Sequence, residues 1–343
     1  MIYPDFLKQG DTIGICAPSD GIGENELKNI RLDSAKTQFN ERGFKVRETK
    51  SVRRSENGRS TTAEKRAEEL MELVKDTDCK AIISACGGDF LFEMLPYLDY
   101  EELAAHPTWF QGNSDPTGLC YTLTTIADVA SIYSVNVQPF GMKPWDETLE
   151  DNFKILQGEI LSQKNSEKYQ NGWQELTDGY DIYKKDEKTL IKVLDNYSSR
   201  NVKIKETGRM LGGCMDVLVQ LVGTRFDKTR EFINKYREDG IIWYLEIFSM
   251  TPEIIASYLW KFREAGWFDT AKAFIFGRPA MVNDEFSVIS YEEAIKSQLG
   301  PLGKPVIIGA DIGHRQPVIT VINGAMGHIE AEDGSLRLDM ELV

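Results

Sequence analysis

Histidine is scarce in this chain: only His106, His314 and His328 occur, too scattered for a local histidine-based metal motif. The five cysteines, Cys16, Cys79, Cys86, Cys120 and Cys214, are odd in number and form no Cys-x-x-Cys pair. That pattern argues against a disulfide framework and for reduced thiols in a cytoplasm. Cations are outnumbered, 40 Lys and Arg against 54 Asp and Glu, and a net charge of −14 repels a phosphate backbone, so no nucleic-acid partner is expected. No apolar run is long enough to cross a bilayer, and Met1 to Gly10 lacks the basic and apolar regions of a secretory signal. Neither a phosphate loop nor Gly-x-Gly-x-x-Gly follows an apolar run, and no metal or cofactor is expected.

What is present suits a large globular protein. The 343 residues are 41% hydrophobic and 27% charged, enough apolar material for two ordinary cores. The first 140 residues alternate short apolar runs with helical periodicity. Thr12–Ala17, Phe44–Glu48, Lys80–Ala85 and Thr108–Gln111 read as strands; Glu24–Arg42, Ala63–Lys75 and Thr117–Ala130 read as helices. Repeated strand, loop and helix units imply an α/β fold with a mostly parallel sheet covered on both faces. After a terminal helix near Glu147–Leu161 the texture becomes polar up to about Glu206, a long crossing segment. New apolar runs at Met210, Ile241, Ala273, Val306 and Val318, with helices over Asp216–Val222 and Pro252–Ala265, indicate a second domain, α/β or β-rich. The expected division is 1–165, carrying a nucleophile, and 166–343, comprising the linker and second domain.

Chemistry points first to Ser114. In Gly112-Asn113-Ser114-Asp115-Pro116 a hydroxyl sits in a tight turn between an apolar strand and a helix start. Asp115 is expected to cap that helix and Pro116 to open it. A helix N-terminus favours the negative charge that develops when a hydroxyl attacks a carbonyl. The turn is only half of Gly-x-Ser-x-Gly, and on this turn alone helix capping by Ser114 is the favoured explanation. A serine nucleophile needs a base, and His314 follows an apolar run in Gly309-Ala-Asp-Ile-Gly-His314, where α/β proteins display functional groups, although an ordinary turn explains it as well. His106, before Pro107, and His328, in a turn between hairpin strands, are expected at the surface. The acid that orients the imidazole fits Glu246, a carboxylate closing the apolar run from Ile241, although pairing with Arg278 would also explain it. Gly87-Gly88 offers either an oxyanion donor or an ordinary turn, and Gly212-Gly213 a close approach of backbones. Trp243, Trp260 and Trp267 are core candidates, as is Trp173, whose polar surroundings also suit a ligand platform.

Taken together, the ordered set resembles the serine LD-carboxypeptidase family, which includes the microcin C self-immunity peptidases. The resemblance rests on Gly10-Asp-Thr-Ile-Gly-Ile-Cys-Ala-Pro-Ser19, Cys86-Gly-Gly-Asp89, Gly112-Asn-Ser-Asp-Pro-Thr117, Leu211-Gly-Gly213, Leu245-Glu246, Phe276-Gly-Arg278 and Gly313-His314-x-x-Pro317-x-x-Thr320. It implies a triad of Ser114, Glu246 and His314, oxyanion donors at the amides of Gly88 and Asp115, a Rossmann-like, doubly wound N-terminal domain, a smaller, β-rich C-terminal α/β domain, a site between them, and a homodimer. Three departures stand out: Asn113 replaces a common aromatic, Cys214 a usual asparagine, and Asp89-Phe90 a frequent Tyr-Gly. They fall where substrate walls would lie, which makes Asp89 and Asn113 candidate substrate contacts, alongside Trp173 of the polar segment. The implied activity is metal-independent cleavage of an L,D-amide bond, as in murein tetrapeptide losing D-alanine. The alternative is an amidase acting on a peptidyl or aminoacyl nucleotide, to which the long crossing segment is similar; a non-catalytic muropeptide sensor is the third possibility.

Overall fold

A computed structural model describes residues 1–173, 175–194, 203–282 and 284–343. They form two units, Met1–Leu161 with Trp173–Lys184, and Ser162–Gly172 with Lys185–Val343. The polar crossing therefore contributes to both, while residues 174 and 195–202 of it lie outside the described residues.

The first unit runs β1 (Thr12–Cys16), α1 (Glu26–Glu41), β2 (Lys45–Glu48), α2 (Ala63–Val74), β3 (Cys79–Ser84), α3 (Tyr100–Ala105), β4 (Trp109–Gly112), α4 (Thr117–Ile126), β5 (Ser131–Tyr133) and α5 (Glu147–Leu156). Its strands lie in the order β5-β4-β3-β1-β2, all parallel. Every residue of β1, β4 and β5 is buried, as a sheet covered on both faces requires. Side-chain oxygens of Asn25 and Thr62 cap α1 and α2. The helix expected up to Ala130 stops at Ile126, because Asp128 turns the chain at φ 57° and β5 follows immediately. With only three residues, β5 has too little length to show a period.

The second unit contains β6 (Ser162–Lys164), β7 (Lys168–Tyr169), β8 (Glu187–Lys188), β9 (Lys192–Leu194), β10 (Ile204–Cys214), α6 (Met215–Leu221), α7 (Thr229–Lys235), β11 (Ile241–Glu246), β12 (Ser249–Met250) and α8 (Pro252–Glu264). It continues through β13 (Ala271–Gly277), β14 (Met281–Val282), α9 (Tyr291–Leu299), β15 (Val306–Ala310), β16 (Val321–Asn323), β17 (Met326–Glu332) and β18 (Ser335–Glu341). Its large mixed sheet has the order β6-β18-β17-β10-β11-β13-β15-β9. The centre, β10 to β15, is parallel, and antiparallel strands flank it. Both units are thus α/β, the second richer in strands.

Burial explains the centre. All six residues of β11 are inaccessible, and an apolar side chain so buried stabilises by about 1.5–3 kcal/mol. Trp243 and Trp267 stack at 5.8 Å with no exposed surface. Trp260, expected in the core, is instead 51% exposed, because α8 presents it on the solvent side of an amphipathic helix. His328 lies within β17 rather than in a turn, on an outward-facing position of an alternating strand. The close approach expected at Gly212 is present: a Cβ there would overlap the carbonyl oxygen of Tyr244 on β11.

Candidate active site

The serine turn is built by its own backbone. Ser114 follows β4 at φ 67°, one of three non-glycine residues among those described with positive φ. That conformation is costly for a residue with a Cβ and persists only where surroundings impose it. The Ser114 N–H faces the Tyr133 phenol oxygen at 3.4 Å, and the preceding Asn113 N–H donates to Asn136 Oδ1 at 3.2 Å. Pro116 then occupies the N-cap, and the ten-residue α4 begins at Thr117. A strained serine between a buried strand and a helix start has the geometry of a nucleophile elbow.

Against this turn lies the glycine pair. A Cβ on Gly87 would sit 2.9 Å from both Cβ and Oγ of Ser114, so the loop approaches the hydroxyl only because side chains are missing. Gly88, at φ 149°, would overlap Ser19 Oγ if it carried a Cβ. The Asp20 N–H donates to the Gly87 carbonyl at 3.2 Å, joining the two loops. Asp115 does not cap α4. Its carboxylate is buried and accepts from Ser19 Oγ–H and, at 2.8 Å, from the Leu91 N–H. Burial pushes its pKa up, against the lowering effect of these two donors. The N–H groups of Gly88 and Asp115 bond to no protein acceptor among the described residues. A cavity of about 890 Å³ continues from Asp20, with Lys28, Arg53, Arg54, Arg59 and Thr62 on its walls.

In the second unit a carboxylate and an imidazole meet. Glu246 closes β11 with no exposed surface, where an unpaired charge would cost several kcal/mol. His314 supplies the partner: its Nδ1 lies 2.9 Å from Glu246 Oε2, and its side chain is only 7% exposed. Gly313 at φ 106° makes the approach possible, since a Cβ there would fall 2.5 Å from the same oxygen. The Phe248 ring packs on the imidazole at 4.8 Å. Burial alone would lower the His314 pKa, but the Glu246 carboxylate outweighs it and holds the value above the ordinary one. An Nδ1–H donating to Glu246 fixes the tautomer and presents Nε2 as the basic atom.

Arg278 does not pair with Glu246; its guanidinium is bonded to Asp311. The thiol of Cys214 lies beside Glu246 and is pushed well up, first by burial and then by that carboxylate. Asp216 accepts from the N–H groups of Phe248 and Ser249 at 3.0 and 3.2 Å, tethering the segment after Glu246. His106 and His328 are at the surface, with 45% and 44% of their side chains exposed. Of the candidate substrate contacts, Asp89 is exposed, Asn113 buried and Trp173 61% exposed. Among the described residues, no group of three or more His, Cys, Asp and Glu side chains could hold a metal, and no helix is long and apolar enough to cross a membrane.

The contacts made by Ser19, Asp311, Phe248 and Arg278 were not read from the sequence, although Ser19 and Arg278 stand in its motifs. The one available signal was position. Ser19 follows β1 as Ser114 follows β4, at the carboxyl ends of parallel strands where α/β proteins place their sites.

The fold is α/β, with a strained serine turn at the carboxyl end of a parallel strand. The chain belongs to the LD-carboxypeptidase family: residues 13–134 match the model of its N-terminal domain and residues 207–329 that of its C-terminal domain. It is 27% identical to the microcin C7 self-immunity protein MccF of Escherichia coli, over 97% of this chain and 94% of that protein. A Bacillus subtilis protein named “Probable murein peptide carboxypeptidase” is 24% identical over 94% of this chain and 89% of its own. A solved structure of MccF with aspartyl sulfamoyl adenosine matches with a TM-score of 0.81 and 24% identity, covering 100% of this chain and 99% of that one. The muramoyltetrapeptide carboxypeptidase of Oxalobacter formigenes matches with a TM-score of 0.73 and 19% identity, covering 96% and 99%.

Proposed function

We propose that this protein is a serine carboxypeptidase that hydrolyses an amide bond between an L- and a D-configured centre, with murein tetrapeptide as substrate and D-alanine as product. The observation that carries this reading is the strained Ser114, with a glycine loop packed on its hydroxyl. In the proposed mechanism Ser114 Oγ attacks the carbonyl carbon while its proton passes to His314 Nε2. Glu246 stabilises the resulting imidazolium. The amides of Gly88 and Asp115 donate to the oxyanion. Collapse breaks the C–N bond, the imidazolium returns its proton to the leaving amine, and water attacks the acyl-enzyme by the same route in reverse. The cavity beyond Asp20, lined by charges of both signs, receives the carboxylates and ammonium groups of the peptide.

A second reading, cleavage of an aminoacyl sulfamoyl nucleotide, is supported by similarity to MccF and by the exposed Trp173, an indole face on which a base could stack. Incubation with murein tetrapeptide and with aspartyl sulfamoyl adenosine, followed by mass spectrometry of the products, separates the two. Release of D-alanine by the wild type and none by Ser114→Ala supports the first; turnover of neither compound rejects both. The proposal includes a cytoplasmic homodimer, which fractionation and light scattering test.

A further inference from the structure

Arg278 follows β13 and is buried, and its contacts concentrate on one short loop. Its guanidinium donates to the Asp311 carboxylate, to the Arg315 carbonyl at 3.0 Å and to the Pro317 carbonyl at 2.9 Å. Those three acceptors bracket His314 on both sides. The backbone N–H of Arg278 donates to the Ala310 carbonyl at 3.0 Å, where the loop leaves β15. Asp311 is held from behind by the Ser166 N–H at 2.7 Å, and the guanidinium lies over the Tyr169 ring at 4.5 Å. The polar stretch that supplies Ser166 and Tyr169 also donates from the Gln170 N–H to the Gln316 carbonyl at 2.8 Å, and the Arg315 guanidinium reaches Asn171 Oδ1 at 2.8 Å.

We propose that Arg278 is a positioning residue: it clamps the 311–317 loop against residues 166–171 and so holds the His314 imidazole in register with Glu246. The inference rests on the reading of His314 as the base. The physical argument is geometric. A planar guanidinium can satisfy three acceptors in fixed directions, whereas the loop has no regular secondary structure of its own to orient the imidazole. A buried ion pair is a poor source of net stability but a strong constraint on geometry. The Asp311–Arg278 pair therefore serves orientation better than it serves folding. The carboxylates acting on the imidazole are Glu246 on β11 and Asp216 on α6; Arg315 is its chain neighbour. Arg278 touches the loop backbone rather than the imidazole itself.

Three histidines in the whole chain make this directly readable by ¹⁵N-imidazole nuclear magnetic resonance of the resting full-length protein. Wild type should show a downfield Nδ1–H proton from His314 bonded to Glu246. In Arg278→Met and Arg278→Lys that proton should broaden or move upfield, and the His314 titration should fall toward the ordinary value. With murein tetrapeptide, kcat should drop about 10- to 100-fold while KM stays within about threefold, the effect of misplacing a base by a fraction of an ångström to an ångström. Arg209→Met is the control for loss of a buried arginine. Arg209 pairs with Asp239 at 2.6 Å, and its position on β10 is opposite Ile241, five residues or about 16 Å along β11 from Glu246. It should leave the His314 resonance unchanged. An unaltered His314 proton and titration in folded Arg278→Lys would overturn the proposal, as would full recovery by lysine of what methionine loses, since that would reveal a field effect instead of a clamp. The resonance arm needs no turnover: a protein inactive on both compounds would reject the functional reading and still test the clamp.

Discussion

The serine turn and the glutamate–histidine pair solve the same problem by opposite means. Around Ser114 five consecutive residues and one glycine loop create the geometry through backbone conformation, and the decisive feature is what is missing, the Cβ atoms of Gly87 and Gly88. Glu246 and His314 stand 68 residues apart and are held by charge, burial and a clamped loop. A backbone-built site is broken by adding atoms. A charge-built one is broken by removing a charge or the group that aims it.

Each substitution sharpens that contrast. Ser114→Ala should leave the fold intact and reduce kcat on murein tetrapeptide by about 10⁴- to 10⁶-fold, read by D-alanine release. Glu246→Gln should cost about 10³- to 10⁴-fold by losing the tautomer and the imidazolium partner. It should also move the pH profile. The Glu246 carboxylate, against the effect of burial, raises the His314 pKa, so the acidic limb of kcat/KM in wild type lies above the ordinary histidine value and in the variant shifts to lower pH. The sign for stability follows: the pair's contribution is fully present below the unfolded-state histidine pKa and disappears as pH rises through the folded one. Urea melts of wild type and Glu246→Gln across that interval should converge at high pH as far as this proton is concerned. Gly88→Ala tests the other side. Its Cβ would overlap Ser19 Oγ, so a loss of about 1–3 kcal/mol in urea unfolding and about 100-fold in kcat is expected. The smallest effect belongs to Arg54→Ala on the cavity wall. An exposed charge is worth about 0.2–1 kcal/mol, so KM should rise by up to about fivefold with kcat unchanged.

The two regions also differed in how far they could be read beforehand. The elbow was legible as a turn, because Gly-Asn-Ser-Asp-Pro between an apolar run and a helical pattern is local information. The role of Asp115 was misread, because whether an aspartate caps a helix or turns inward to Ser19 and Leu91 depends on residues 96 and 24 positions away. Arg278 was readable only as a possible partner of Glu246; the packing of β13 beside β15 gives it Asp311 instead. Helix α7 and helix α9 went unrecognised, although Ser290 and Glu293 form a reciprocal capping box that was there to find. Strands β6 to β9, two or three residues each, left no period to detect.

Composition and local pattern alone determined that this chain forms α/β units with buried parallel strands, and that its strongest nucleophile candidate stands at the end of one of them. Those properties depend on neighbours within a few residues, whose steric and apolar preferences act before any tertiary contact exists. Tertiary structure alone decided that Glu246 and not another carboxylate receives His314, that Arg278 grips the loop beside it, and that Ser19 reaches Asp115. These contacts join strands and loops whose adjacency is created only when a sheet is assembled, and no spacing along the chain encodes it.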